Sequence, residues 1–468
     1  MSGIVETEHW ARETFGECRL GDLRRTKRLI TVAQRVIEHP AGSFPSQMPD
    51  WAELKAAYRL FDADDVTFRA VAWPHWQQTR NAAAGKTLVI CDTTERNFGS
   101  EREGLGRTGN GAGRGFLLHN ALMVNAATRS VTGIAAQTIQ YRPKRKRQKE
   151  NSSQALKRAD RESRVRGDVI DEIATAADGT QYVYVCDRGA DNFEVFCHLV
   201  QSGSDWIVRA KKQKRNLLTL DGATVSLPDV LSRLTVLGTY ELTLRSRPGQ
   251  PSRVARIEVS HTRVQMPVPH QTSPWVKSLR PAPIAMNLIR VRETDAPADA
   301  EPIEWLLWTS LPSDTLDESW LVIEDYESRW LVEEYHKALK SGIQVKSRQL
   351  QTASRLEPMV GLLSVIAVHL LQLKTLSVSD PTRPARTVVP ALWLTMLKAA
   401  RGRRLRRVHD ITVYDFYREV AKLGGFLGRK SDGEPGWSTI WRGWQKLATL
   451  VQGAKLAQNT PLNPQICG

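Results

Sequence analysis

Two short apolar runs, each ending in Cys-Asp, constrain this chain more than any other feature. The first, KTLVICDTTE, reaches Asp92, and the second, QYVYVCDRGADNF, reaches Asp187. Both are rich in β-branched or aromatic residues and are followed by turn formers, so each reads as a strand ending near its aspartate. Side chains alternate along a strand, so each aspartate faces away from the cysteine before it. If the two strands are neighbours, both carboxylates emerge side by side at one edge of a sheet. Such a pair repels, and it either shares a proton or is neutralised by a cation. Taken singly, each aspartate also reads as an ordinary turn former.

The order of elements narrows the fold. A Gly-rich loop, FGSEREGLGRTGNGAGRG, leads into FLLHNALMVNAATRSVTGIAAQTIQY, which reads as a hairpin. A basic segment from Arg142 to Arg166 follows, helical in its later part, then the second Cys-Asp strand, a helix and the strand DWIVRAKKQKR. The resulting β-β-β-α-β-α-β order predicts a mixed α/β sheet. The first three strands are joined too briefly for the helical crossovers of an all-parallel one. From about 216 to 302 the chain is β-rich and punctuated by Pro and Gly, which reads as an inserted sheet. IEWLLWTSLP is one more strand. Near the start, GDLRRTKRLITVAQRVIEH reads as an amphipathic helix with Asp22 as its N-cap, and WAELKAAYRLF as a second helix. The expected organisation is a helical domain over 1–70, an α/β domain over 71–372 and a helical domain over 373–468.

A third acid comes from DYESRWLVEEYHKALKSG, Asp325 to Gly342. Read as one helix, it gathers Tyr326, Arg329, Glu333, Lys337 and Lys340 within an arc of roughly 80°. That face runs over roughly 21 Å of helix. Leu331, Val332, Tyr335 and Leu339 fall on the opposite, core-like side. The polar face reads as a solvated surface with weak ion pairs, or as one wall of a site. In the second reading, Asp92, Asp187 and Glu333 can hold one or two magnesium ions, a pair about 3.5–4 Å apart being suited to phosphodiester cleavage. Arg329, Lys337 and Lys340 would then hold flanking phosphates, Arg through its fork and the lysines as point charges.

Charge points the same way. The 468 residues carry a net charge of +16, which favours a polyanionic partner, nucleic acid or an anionic membrane. MVGLLSVIAVHLLQL is the longest apolar run; it is too short to span a bilayer and is interrupted by His369, so no membrane element is expected. The opening MSGIVETEHWARETFGE has neither a basic nor an apolar leader region. The five cysteines, Cys18, Cys91, Cys186, Cys197 and Cys467, form no Cys-x-x-Cys pair. This argues against a disulfide framework or structural zinc and for a reducing, cytoplasmic setting. The loop around Gly106–Gly115 lacks Gly-Lys-Ser/Thr, so no nucleotide cofactor is expected. His119 and His198 read as packing or hydrogen-bonding residues.

Together, DTT at Asp92, CDRGAD at Asp187 and Tyr-x2-Arg-x3-Glu-x6-Lys at Tyr326, Arg329, Glu333 and Lys340 resemble the signature of DDE transposases of the insertion-sequence-four type, and among them the transposon-five type. The likeness continues through LGDLRRTKRL, WLLWTS, LEPMVGLLSVIAVHLLQL and GWSTIWRGWQKL. It implies a ribonuclease-H-like mixed-sheet core with a β-rich insertion, flanked by helical N- and C-terminal domains. It also implies cut-and-paste transposition with two magnesium ions per active site, for which manganese substitutes. In such a reaction water nicks the 3′ end of the element, the freed 3′-OH attacks the opposite strand to form a hairpin, a second water opens it, and the new 3′-OH attacks target DNA.

The resemblance makes Asp92, Asp187 and Glu333 the metal ligands, and Tyr326, Arg329 and Lys340 the contacts to phosphates near the transposon end, with Lys337 beside them. Trp305 becomes the aromatic surface for an extruded base, which needs stacking; it reads equally as an inward strand residue. Arg188, Arg209, Lys211, Lys212 and Lys214 become DNA contacts near the site. Arg24, Arg25, Lys27 and Arg28 lie on the helix expected to meet the terminal repeat, some of them facing only solvent. RPKRKRQK, Arg142 to Lys149, departs from the family pattern and reads either as a grip on target DNA or as a solvated loop. The partners implied are double-stranded DNA, at transposon ends and target, and a second subunit paired through the C-terminal helices. Trp437, Trp441 and Trp444 read as packing within their own domain or as part of that pairing. A noncatalytic repressor derived from a transposase and a ribonuclease-H-like resolvase are the competing classes.

Overall fold

A computed structural model describes the chain at every position except 1–6, 40–41, 100–101, 110–112, 144–150, 159, 174, 212–213, 245–251, 298–300, 343–349, 403–404, 406–409, 430–431 and 460–468. Four longer helices lead, α1 (Thr7–Phe15), α2 (Leu23–Glu38), α3 (Trp51–Leu60) and α4 (Phe68–Asn81), with a single helical turn, Phe44–Gln47, before α3. The start of α2 lies where the sequence predicts, because extended Asp22 accepts the Arg24 N–H at 2.8 Å. That bond satisfies a donor the helix itself cannot. Leu29, Val32, Ala33 and Val36 form its buried face.

The central layer is a 12-stranded mixed sheet. Its first part holds β1 (Gly85–Asn97), β2 (Gly106–Thr108), β3 (Gly113–Asn125) and β4 (Val131–Gln140). After α5 (Glu162–Ile173) come β5 (Thr180–Cys186), α6 (Phe193–Gln201) and β6 (Asp205–Arg209). β3 pairs antiparallel with β1 on one side and β4 on the other, while β5 pairs parallel with β1 and β6 parallel with β5. This is the mixed order that the short connections require.

The β-rich insertion supplies β7 (Asn216–Leu218), β8 (Thr224–Ser226), β9 (Thr235–Leu244), β10 (Arg253–Met266) and β11 (Ile284–Glu293). The expected β-rich insertion is present, and it joins the core edge to edge. β12 (Glu304–Thr309) pairs with β11 on one edge and β6 on the other, so insertion and core form one continuous sheet. Leu306, Leu307 and Trp308 of β12 are buried, as a strand flanked on both edges and both faces demands.

The chain then forms α7 (Leu316–Glu327), α8 (Trp330–Lys337), α9 (Ala353–Ser379), α10 (Ala391–Arg401), α11 (Val413–Leu423) and α12 (Trp437–Asn459). The stretch Asp325–Gly342 is therefore not one regular helix. Around Ser328 and Arg329 the N–H groups of Arg329, Leu331 and Val332 bond three residues back, at 3.0 to 3.2 Å, and a π turn over Ala338–Gly342 follows α8. A turn of three residues advances each side chain further than a regular α-helical turn does. Tyr326 is carried off the polar face into the core, where it is 3% exposed. The other half of the expected pattern holds, with Leu331, Val332, Tyr335 and Leu339 all buried.

α9 is 27 residues long and apolar enough to cross a membrane by composition, yet 78% of its most apolar window is buried inside the protein. It packs with α4 and β4 and behaves as the core helix its sequence predicts. At the far end, α11 and α12 cross closely: a Cβ on Gly443 would stand 1.7 Å from the Val420 carbonyl oxygen.

Candidate active site

The parallel ladder between β1 and β5 ends at Cys91 opposite Cys186, so Asp92 and Asp187 are the next residue of each strand. They come out side by side, as adjacent strands require. One expectation changes: β1 does not end at Asp92. It runs on to Asn97, paired only with β3, through Asp92 opposite Asn120 and Asn97 opposite Gly115. Asp92 therefore marks the point where the strand loses one neighbour, because β5 turns away there. Asp187 is itself the turn: it caps a short 3-10 helix, Arg188–Ala190, by accepting the Gly189 N–H at 3.1 Å.

The charges of the pair show its strain. Burial and then the neighbouring Asp187 carboxylate push the Asp92 carboxyl above its usual range. The Thr93 N–H, which donates to Asp92 Oδ1 at 2.7 Å, and the cations Arg329 and Arg166 work in the opposite sense. Arg166 on α5 donates to Asp187 Oδ1 at 2.9 Å, and Arg329 Nη1 approaches Asp92 Oδ2 at 3.3 Å.

Glu333 rises from the first turn of α8 and is bonded to Arg329. Arg329 therefore stands between Asp92 and Glu333, and Arg166 lies against Asp187. Among the described residues no three acid, histidine or cysteine groups converge to metal-binding distance. The chemistry of the donors nevertheless suits a hard divalent cation. All three are carboxylates, and the Asp92–Asp187 pair carries repulsion that a cation relieves. Glu333 completes that set only when Arg329 releases it.

The helix that carries Glu333 is tied down by its next three residues. Glu334 accepts from Lys337 at 2.8 Å, from Trp437 Nε1 at 2.8 Å, and from Lys374. Tyr335 accepts from Gln137 at 3.1 Å, and His336 accepts from Asn120 at 3.0 Å. Burial, with the cations Arg96, Lys340 and Arg329 nearby, holds His336 well below its ordinary value and so keeps it a neutral acceptor. Asn120 in turn accepts from Gln137 at 2.7 Å and sits opposite Asp92 in the ladder. Sequence reading missed this network and Arg166. The available signals were Tyr335 and His336 directly after Glu333, and the Glu162–Arg166 spacing of one helical turn.

Tyr326, Trp305 and Arg209 come together. The Trp305 ring meets Tyr326 edge-on at 5.4 Å, and the Arg209 guanidinium lies 5.8 Å from the Trp305 ring centre. Trp305 is half-buried, compatible with both readings of it. Burial pushes the Tyr326 phenol up, while Arg329 and Arg209 draw it back. Lys340 is exposed on the π turn, and Arg188 is exposed beside Asp187. Lys337 is exposed and bonded to Glu334. Lys211 and Lys214 are exposed after β6, and Lys212 lies outside the described residues. Arg142 pairs with Glu95 at 2.9 Å; residues 144–149 of the basic run lie outside the described residues.

The four cations of α2 now separate. Arg25 pairs with Asp65 at 2.8 Å and Arg28 with Glu53, so both are committed within the end region. Arg24 reaches back to Asp22 yet is 91% exposed, and Lys27 is exposed. His119 is bonded to Thr93 at 2.7 Å and Gln140 at 2.9 Å, and His198 to Asp171 at 2.9 Å, as expected for structural histidines. Trp437 stacks on Trp441 at 5.3 Å, and Trp444 packs against Trp393 at 4.7 Å, so all three tryptophans pack within the subunit.

Comparison with known families decides what the two helical ends are. Residues 7–66 match the model of the transposase DNA-binding family, and residues 404–461 match that of the transposase Tn5 dimerisation domain. The two helical ends are thus similar to the DNA-binding and dimerisation domains of transposases. The first match covers α1, α2 and α3 with their basic face, and the second covers α11 and α12. DNA and a second copy of the chain are thus the partners of this transposase-type protein.

Proposed function

We propose that the protein is a cut-and-paste DNA transposase whose catalytic acids are Asp92, Asp187 and Glu333. The observation that carries the reading is placement. A mixed sheet sets two aspartates side by side next to a glutamate-bearing helix, between a transposase DNA-binding end and a transposase dimerisation end. Asp92, Asp187 and Glu333 would hold two magnesium ions, with manganese able to substitute, and bound metal supplies an activated water and charge neutralisation at the scissile phosphate. Arg329 and Lys340 hold phosphates of the transposon end, and Lys337 adds positive charge beside them. Tyr326 acts from within the core, as support for Trp305. Trp305 offers its half-exposed ring to an unstacked base, and Arg209 and Arg188 line the approach. Lys27 and Arg24 are the exposed α2 cations that meet the terminal repeat, Arg24 by exchanging its bond to Asp22 for a phosphate.

The test uses DNA carrying this gene with its native flanks, incubated with purified protein and magnesium, and mapped for breaks at nucleotide resolution. Paired breaks at inverted repeats with hairpin ends are expected, and Asp187→Ala should abolish them. Loss of several kcal/mol of charge stabilisation corresponds to a drop in rate of about 10³-fold or more. Tight binding at the ends without cleavage would replace this reading with a repressor, and scattered breaks would replace it with a nuclease.

A further inference from the structure

Asp187 is gripped by one oxygen only. Arg166 Nη1 donates to Oδ1 at 2.9 Å, and the Gly189 N–H donates to the same atom at 3.1 Å. Oδ2 takes no hydrogen bond from the described residues. A carboxylate so held on one oxygen keeps its second oxygen available to a cation. Metal-binding carboxylates are commonly fixed in this way by a partner that never touches the metal.

Arg166 is itself fixed. Its side chain is 10% exposed, and its other terminal nitrogen reaches Glu162 Oε1, one turn earlier on α5, at 3.4 Å. Burial alone would weaken its charge, but Asp187 and Glu162 more than restore it. The guanidinium lies over Gly189, where a Cβ would come within 2.3 Å of Nη2 and 2.7 Å of Cζ. Gly189 does not occupy the left-handed region, so space and not backbone conformation requires glycine there. The buried Nε–H of Arg166 has no partner among the described residues, a cost the rest of the group's bonding must offset. Arg166 and Asp92 also line one cavity of about 20 Å³, enough for a single water. Arginine is needed because its fork serves Asp187 and Glu162 from separate nitrogens, which an ammonium cannot do with the same geometry.

We infer that Arg166, with Gly189 beneath it, is the positioning residue that presents Asp187 Oδ2 to the metal. The inference rests on the metal-site reading proposed above. The experiment titrates Mn²⁺ into full-length, DNA-free protein and reads free Mn²⁺ by its paramagnetic resonance, with thermal melts of each variant in chelator alongside. Arg166→Gln should weaken Mn²⁺ binding by roughly 10-fold to 100-fold, and Arg166→Lys should recover part of the loss. Gly189→Ala leaves every charge in place but drives the guanidinium aside, and should weaken binding in the same direction. Should Arg166→Gln fail to fold, Gly189→Ala decides alone. Unchanged Mn²⁺ affinity in both, whatever the melts show, would reduce Arg166 to a structural residue and overturn the assignment. Tighter binding would overturn it too, since Arg166 would then be competing with the metal. Asp187→Asn is the control: if it binds Mn²⁺ as well as the parent protein, the metal-site reading itself has failed.

Discussion

The sheet-borne half of the acidic site and the helix-borne half are held by different kinds of bond. The backbone at Asp92 and Asp187 is placed by a ladder that ends one residue before each and depends little on any one side chain, leaving Arg166 only the orientation of the Asp187 carboxylate. Glu333 is placed by a handful of side-chain ties from Glu334, Tyr335 and His336, each of which a single substitution removes. The ties reach different partners as well. Those of the sheet stay within the core, whereas Glu334 grips Lys374 on α9 and Trp437 on α12, inside the segment that matches the dimerisation domain. Two acids are therefore fixed by the core alone, and the position of the third depends on the C-terminal region.

The strongest way to break this contrast is Glu334→Ala. It leaves half-buried Lys374 and the buried Trp437 N–H without their shared acceptor, and a buried donor left unsatisfied costs about 1–3 kcal/mol. Denaturant unfolding should show that loss, and cleavage should fall while binding to DNA ends persists. Cleavage at the parental rate would mean that α8 needs no tie to the C-terminal region.

A smaller effect is expected from Arg329→Met. In the DNA-free protein it removes the cation between Asp92 and Glu333. A partly exposed pair of this kind contributes up to about 1 kcal/mol, so stability in chelator should fall by no more than that. Mn²⁺ should bind more tightly at the same time, because two carboxylates are released. Weaker Mn²⁺ binding would show that Arg329 helps gather the acids and does not occupy them.

The smallest effect sharpens the sheet half. The folded Asp92 carboxyl sits above its unfolded value, so it favours folding while protonated. That contribution is complete below the unfolded value of about 3.9 and is lost as pH rises through the raised folded one. In chelator, Asp92→Asn should raise the melting temperature at neutral pH relative to the parent, and the gain should vanish near pH 4. An equal gain at both values would show that desolvation and the Asp187 charge are not what act on Asp92.

The sheet half was largely legible in the sequence, because Cys-Asp at the end of two apolar runs carries both the alternation and the edge. The Glu333 half was legible in part. Periodicity found the buried side of α8 but put Tyr326 on the wrong face, since nothing in the residues Ser328 and Arg329 announces a tighter turn. The continuity of the insertion with the core was hidden for a different reason. Which edge β12 takes depends on where β6 lies, and strand partners distant in sequence leave no local mark. Arg166 was hidden among many arginines of a basic segment; only the fold shows which of them meets an acid.

That continuity has a consequence for the newly made chain. β6 has its second edge neighbour only when β12 emerges, after the whole insertion has been synthesised. Until then the nascent sheet presents an open edge and long-range pairing that closes slowly. While the chain is still on the ribosome, its two aspartates can therefore be seated well before Glu333 has been synthesised. A chain terminated within the insertion keeps the segment that matches the transposase DNA-binding family and lacks both Glu333 and the segment that matches the dimerisation domain.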